Sequence, residues 1–593
     1  MFFATYLASI ITHYEPIYKS LGVLVFLLVE VAFVGCVAIG FLQSGSGSDL
    51  SLPAFLLPGL FVTVAFAEIW SLFGGLVPRA NPALILVAVI VAALRRRTFA
   101  KSVREGIRNT RWRSLILFVP CAFFAALNAL TNGYCYDNLL YHLAAVRWVA
   151  DFGSVPGLAN LHGRLGFNSA LHPLAAFFGA PFGIAIGSEF VNPVIVLCVC
   201  AVLVQGIRLK PKEFFAPDSV YAALFLPLIL SLLFSDCLSS PQPDIAGAAI
   251  AILVTWHLRE IIFGQEAVAG SEQGAFLRCL MAGSLVVMLK LSYAMFGLAA
   301  AGVVTLIVLF RQRRLTSIWR PALVVFLLSI PWVCCGYITS GYPFYPMDVG
   351  AIQFDWMVPA RTALGDRNWI LSWAREPYQD WHTVLASSDW FRPWVTSTIA
   401  DLFVRKSLLL FAAGLFLALI SRPWRWRKQR FYQWCWLIVP TALSLVFWLL
   451  TAPAPRFAEA TIWTAAADVA FLPFACLGTV RPSLRVLYSV LIAGLIALEL
   501  RWGFIRLVEE HEEFPNFVGG PRQLVPRLTF SGLTVWVPVE GDVTGAWQIP
   551  AVPPSSFNPR LEQRGKTFRD GFRMNPAARE PANDPAAAGT DDR

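Results

Sequence analysis

The stretch Tyr136-Asp137-Asn138-Leu139-Leu140-Tyr141-His142 gathers an acid, an amide, two tyrosines and a histidine directly after a long apolar run. A carboxylate at such a point can take the proton of an attacking hydroxyl. Aspartate also favours the position that caps a helix, and the local sequence leaves both roles open for Asp137. Leu139, Leu140, Leu143, Val146 and Val149 have the spacing of an amphipathic helix lying along a membrane surface. Such a helix turns Asp137, Tyr141 and Trp148 to one side and sets Asn138 and His142 on a neighbouring face. His142 by itself reads as a structural hydrogen-bonding residue before a base.

Residues 153–173, GSVPGLANLHGRLGFNSALHP, are dense in Gly, Pro and Asn yet carry His162, Arg164 and His172. Backbone this irregular must be pinned by protein or reach water, because unsatisfied groups in lipid are costly. Three of the seven histidines fall within 131–173, but their spacing matches no tight zinc motif. A divalent metal therefore stays open and is not required. Farther along, Lys290 separates two apolar stretches, Arg456 follows another between Pro455 and Phe457, and Asp244 opens a third in Pro243-Asp244-Ile245. A cation at such a place binds an anion or snorkels to the interface. Both readings stand for Lys290, whereas Arg456 reads as functional. Asp244 reads first as a helix N-cap and second as a residue that orients an acceptor.

The elements that position these residues are apolar. Of 593 residues 57% are hydrophobic and 14% charged, with a mean hydropathy of +0.61, against about 25% charged in soluble domains. This predicts an all-α polytopic membrane protein. Fourteen apolar spans run from 22–42 to 484–503, the shortest being 82–94 and 278–289. No early stretch joins a basic region to a small-residue cleavage site, so the first span reads as retained. The net charge of +10 does not point to nucleic acid, because the basic residues sit in short loops between spans. No P-loop and no glycine-rich dinucleotide fingerprint occurs.

Placing the basic joints 95–113, 208–212, 311–320 and 422–430 in the cytoplasm satisfies the positive-inside rule with one alternation, both termini then lying outside. Residues 277–310 decide the parity: two short spans with Lys290 at their outer turn keep every basic joint inside. The outward segments are then 131–186, 236–244, 339–401, 452–458 and the tail after about 504. The tail alternates around 533–550, which predicts a small β-hairpin turning at Glu540-Gly541-Asp542. Its last part, rich in Ala, Pro and Asp, is expected to be disordered. Cys135 and Cys237 both fall outside on this topology; spacing does not say whether they pair.

An Asp just past an outward-running span, followed by an amphipathic helix in the first long outer loop, resembles the GT-C superfamily of polytopic glycosyltransferases. SSPQPDIAG (239–247), LKLSY (289–293), TSGYPFYP (339–346) and APAPRFAEA (452–460) are similar to stretches of bacterial members, among them protein O-mannosyltransferases and aminoarabinose transferases. The resemblance spans roughly 114–460. Many relatives carry a second acid beside the first, where this chain has Tyr136. The resemblance implies a GT-C-like bundle in a bacterial inner membrane, transferring sugar from a polyprenyl-phosphate donor to a glycan, lipid or protein acceptor on the extracytoplasmic face. It implies Asp137 as base, with Tyr141, His142, His162, Arg164, Asp244, Lys290 and Arg456 binding substrate. A lone carboxylate without a covalent partner predicts inversion. The indoles of Trp356, Trp369, Trp373, Trp381, Trp390 and Trp394 suit sugar faces or the interfacial belt, the belt being the better supported role.

The organisation expected is therefore 1–113 (first helices and basic loop), 114–503 (catalytic module), 504–573 (small β-containing segment) and 574–593 (disordered tail). A transporter or lipid flippase is the alternative function, and a non-catalytic assembly scaffold a third.

Overall fold

The computed structural model describes residues 2–42, 50–130, 135–264, 269–313, 315–477, 480–509, 523–545 and 548–577. The described chain is mostly helical. Among the described residues eleven helices are long and apolar enough to cross a membrane, and the pair Arg96–Asn109 and Ser114–Ala129, bent by 80°, makes a twelfth if counted as one. The predicted spans 82–94 and 218–235 correspond to the shorter helices of Ala80–Leu94 and Pro217–Leu233, the latter broken at Phe225 before Pro227. This is a multi-pass membrane protein.

Pro243–Phe263 and Ile184–Gly206 form the centre of the bundle, with 94% and 89% of their apolar windows buried. Lys428–Leu450 and Ile318–Ser340 lie at its rim, only 22% buried, and expose Val446, Leu449, Leu450, Phe326 and Leu327. A rim this apolar suits hydrocarbon as its solvent. Helices Phe2–Leu42 and Leu56–Phe73 cross backbone to backbone: a Cβ at Gly35 would fall 1.8 Å from the Phe55 carbonyl, and one at Gly59 would fall 1.8 Å from that of Val31. Only glycine permits that approach.

Polar chain gathers at the two ends. Pro243–Phe263, 21 residues and about 30 Å by helix rise, joins them. At its C-terminal end the basic joints meet: Arg111 bonds Gln205, Ser114 bonds the Ile207 carbonyl, Arg311 bonds those of Ile261 and Ile262, and Arg430 that of Phe263. At its N-terminal end Asp244 meets Lys290, with segments 135–173, 339–401 and 452–458 around them. Lys290 does interrupt two helices, Ala269–Leu289 and Ala294–Gln312, its backbone extended at φ −154. The expected alternation, which keeps the four basic joints on one side, agrees with this arrangement.

The C-terminal segment holds two antiparallel pairs, β1 (Leu524–Leu528) with β2 (Thr534–Pro538) and β3 (Leu561–Gln563) with β4 (Phe572–Met574). The hairpin was expected to turn at Glu540-Gly541-Asp542; it turns instead between Leu528 and Thr534, where Gly532 takes φ +83. Met574 belongs to β4, so ordered chain continues past 573, and the expected disordered tail lies outside the described residues from 578 onward.

Inside the bundle Lys406 and Glu499 pair with both side chains buried. Breaking a buried pair costs on the order of 3–5 kcal/mol, whereas replacing both partners by apolar residues is close to neutral. Lys406→Met or Glu499→Leu alone is expected to lower the melting temperature of the detergent-solubilised protein strongly, and the double variant to recover it. A double variant as unstable as the worse single one would show that the two residues act separately.

Candidate active site

The helix that carries Asp137 begins at Tyr136 and opens with a π turn, Asn138–His142, before continuing as Leu143–Phe152. Asp137 has helical dihedrals (φ −62, ψ −24) and its side chain makes no cap bond. Of its two readings, capping is the one this geometry does not support. Its carboxylate instead faces two guanidinium groups: Arg456 Nη1 at 3.5 Å and Arg164 Nη1 at 3.9 Å. Charge-assisted hydrogen bonds close at about 2.7–2.9 Å, so both contacts are loose.

Lys290 Nζ donates to the carboxylate of Asp244 and to the Arg456 carbonyl at 3.2 Å. Its ammonium lies 4.6 Å from the Phe457 ring centroid, and the Arg456 guanidinium 5.1 Å from the same ring. The sequence offers Asp244 first as an N-cap. The cap of Pro243–Phe263 is Gln242, and Asp244 stands in the first turn, where its charge still suits the helix dipole. Gln242 Nε2 donates to Asp244 Oδ2 at 3.1 Å and its Oε1 accepts from the Cys135 thiol at 3.3 Å. One chain of contacts thus runs from Cys135 to Arg456.

The loop bearing Arg456 is pinned from three directions. Trp394 donates to the Pro453 carbonyl at 2.6 Å, Trp448 to that of Ala454 at 2.8 Å, and Ser292 to that of Phe457 at 2.9 Å. LKLSY and APAPRFAEA therefore pack on one another. Arg164 is seated by its neighbours: a Cβ at Gly163 would fall 2.0 Å from Asp366 Oδ2, and Tyr345 donates to that carboxylate at 2.5 Å. The Arg164 guanidinium lies 4.6 Å from the Trp369 ring and 5.5 Å from that of Tyr141. Trp369 is stacked on Trp373 at 5.0 Å. Nothing in the spacing of the six indoles distinguished Trp369 from the rest.

Asp137, Arg164, Asp244, Lys290 and Arg456 thus converge, with Tyr141 beside them. His142 and His162 do not open onto the cluster. His142 is buried and shares a 3.0 Å hydrogen bond with His172, while His162 bonds Ser556 at 2.9 Å beneath the C-terminal segment. Burial holds His142 well below the usual histidine range, His172 at about 4 and His162 at about 3. All three are neutral at pH 7. Burial also lowers the Lys290 pKa, against the pull of Asp244. For Arg456 burial opposes the charge, but Asp244 and Asp137 outweigh it and hold the group above its ordinary value. Both acids are engaged by cations, and among the described residues no group of three or more His, Cys, Asp or Glu side chains is placed to hold a metal ion.

The C-terminal segment roofs the site, a contact between segments distant in sequence. Val535, Val537, Val552, Leu561 and Phe572 share one apolar cluster with Leu140, Tyr141, Ala145, Trp148 and Leu158. Asp542 accepts a hydrogen bond from Tyr136, Gly545 N–H donates to the Leu139 carbonyl at 2.8 Å, and Arg564 grips Asp355 at 2.9 and 3.0 Å. The Asp137 helix was expected to lie along a membrane; its second face is buried under this segment. Its only advance signal was the period-two alternation around 533–550.

Residues 20–463 match the model of a family described as a domain of unknown function (DUF8201), and the chain belongs to that family. The match takes in all five converging charged residues and ends before the roofing segment. No curated protein matches the chain, and no solved structure does.

Phe572 is fully buried against Trp148, ring centroids 5.7 Å apart, and its N–H donates to the Pro156 carbonyl at 2.8 Å. Phe572→Ala is expected to remove about 3–5 kcal/mol of local stability. Amide hydrogen exchange across 138–158 should then quicken while Pro243–Phe263 is unchanged. Unaltered exchange in 138–158 would detach the segment from the site.

Proposed function

We propose that this DUF8201 family member is a glycosyltransferase of GT-C-like bundle architecture, with the site end of the bundle on the extracytoplasmic face of a bacterial inner membrane. The observation that carries the reading is the convergence of Asp137, Asp244, Arg164, Lys290 and Arg456, from four separate stretches of chain, at one end of an apolar bundle. A polyprenyl-phosphate sugar meets such an end naturally: its tail stays in hydrocarbon and its phosphate sits at the rim, where these cations lie.

In this reading Arg456, whose side chain is 46% exposed, and Lys290 take the donor phosphate. Arg456 is loosely held by Asp137, so the phosphate draws it away and frees the carboxylate. Asp137 then accepts the proton of the acceptor hydroxyl as that oxygen attacks the anomeric carbon. The bond from that carbon to the phosphate oxygen breaks, and polyprenyl phosphate leaves with its new charge stabilised by the guanidinium and ammonium. Asp244 holds Lys290, and Arg164 on Trp369 lines the sugar side. A single displacement inverts the anomeric centre.

A transporter or lipid flippase is the second reading, favoured by Glu30 and Glu68 buried within spans. Flux of a labelled lipid-linked sugar in proteoliposomes without any transfer product would select it over the enzyme.

With labelled polyprenyl-phosphate sugars in membranes, Asp137→Asn is expected to lower transfer about 10²–10⁴-fold while donor binding persists. Full transfer by this variant removes the mechanism. Because burial lowers the Lys290 pKa, its ammonium is lost at a pH below the ordinary lysine range. Binding of polyprenyl phosphate should weaken as pH rises through that point, and Lys290→Arg should move the weakening to higher pH. An unmoved alkaline limb would take Lys290 out of the phosphate site.

A further inference from the structure

Cys135 and Cys237 stand at the edge of the site on two different stretches of chain. Cys135 precedes Asp137 by two residues, and Cys237 lies in the turn that leads to Gln242 and Asp244. The Cys135 thiol donates to Gln242 at 3.3 Å, and the turn that leads to Gln242 is folded on Cys237, whose carbonyl accepts from the Ser240 N–H at 3.2 Å and from the Ser240 hydroxyl at 2.9 Å. Within this cluster each thiol is the strongest influence on the protonation of the other. Both are free thiols here. We propose that Cys135 and Cys237 are joined by a disulfide in the mature protein, a bridge that ties the Asp137 helix to the turn before Asp244.

The step needs a thiol–disulfide exchange oxidant of the kind an oxidising compartment supplies. One cysteine attacks the oxidant's disulfide as thiolate and forms a mixed disulfide. The second, also as thiolate, displaces the oxidant's sulfur from it. Two protons and two electrons leave the pair, and the oxidant's disulfide becomes a dithiol. The bridge closes a loop of about 100 residues, among the lengths for which constraint of the unfolded chain counts most. It also keeps Asp137 and Asp244 in register across a gap otherwise spanned by side-chain hydrogen bonds. Cys121 and Cys200 influence one another in the same way but lie inside the bundle, on Phe118–Leu130 and Ile184–Gly206. Exchange requires a thiolate and an accessible oxidant, so that pair stays reduced and serves as an internal control.

The inference rests on the outward-facing placement of the site, so the experiment reads placement and bridge separately. A topology reporter fused after residue 137 gives the placement. Membranes are denatured in N-ethylmaleimide, reduced, labelled with iodoacetamide and digested for mass spectrometry. Cys135 and Cys237 are expected to carry only the second label, and their peptides to be joined before reduction, while Cys121 and Cys200 carry the first. First label on Cys135 and Cys237 with the reporter outside overturns the bridge and leaves the glycosyltransferase reading intact. A cytosolic reporter overturns the placement; the bridge is then decided on purified protein treated with oxidised glutathione, where failure of the two peptides to join overturns it as well. Cys135→Ser and Cys237→Ser should lower the melting temperature equally and the double variant no further, whereas independent packing roles would add.

Discussion

The structure is organised around one carboxylate, that of Asp137, held at arm's length by two guanidinium groups that come from chain 27 and 319 residues away. A tight pair would be inert, and a bare acid among apolar helices would be neutralised by desolvation. Distances of 3.5 and 3.9 Å sit between these limits. They keep the charge compensated without closing either contact into a tight ion pair. Maintaining that looseness requires rigid surroundings, because a flexible site would collapse into direct ion pairs.

The surroundings supply that rigidity in layers. Indoles of Trp394 and Trp448 fix the loop of Arg456, Gly163 and Asp366 seat the turn of Arg164, and the roofing β segment closes the far face of the Asp137 helix. The π turn at Asn138–His142 belongs to the same set: it widens the helix where Asp137 and Tyr141 meet their partners, as such turns often do at functional positions. Beneath it His142 and His172, both neutral, offer a hydrogen bond in place of charge.

Hydrocarbon enforces the separation of the two ends. The basic joints clasp helix carbonyls at one end, and the acids with their cations occupy the other, because charge between the ends is costly and is carried there by the few buried groups such as the Lys406–Glu499 pair. The family match covers both ends and the helices that join them up to residue 463; the last two helices, Glu459–Leu477 and Pro482–Glu509, run beyond it. The roof is an addition beyond it, reaching the site through Tyr136 and Asp542.

What could be read in the chain alone follows from local rules. Apolar run length located the helices, the Lys and Arg of short joints gave their alternation, and Lys290 divided 277–310 in two, as the extended break between two helices bears out. Charge at span ends singled out Asp137, Lys290 and Arg456, which the fold brings together, since charge in an apolar setting stands out at any single position. Partner choice was not legible. That Asp244 holds Lys290 and does not cap its helix, that Trp369 alone of six indoles meets Arg164, and that His142 and His162 point into packing all depend on contacts between segments hundreds of residues apart. The hairpin turn moved from 540–542 to before Thr534 because Gly532 supplies the left-handed backbone and Asp542 is committed to Tyr136. Hydrophobicity is a property of each residue and survives in one dimension; register, partner and burial are properties of pairs, and exist only once the chain has folded.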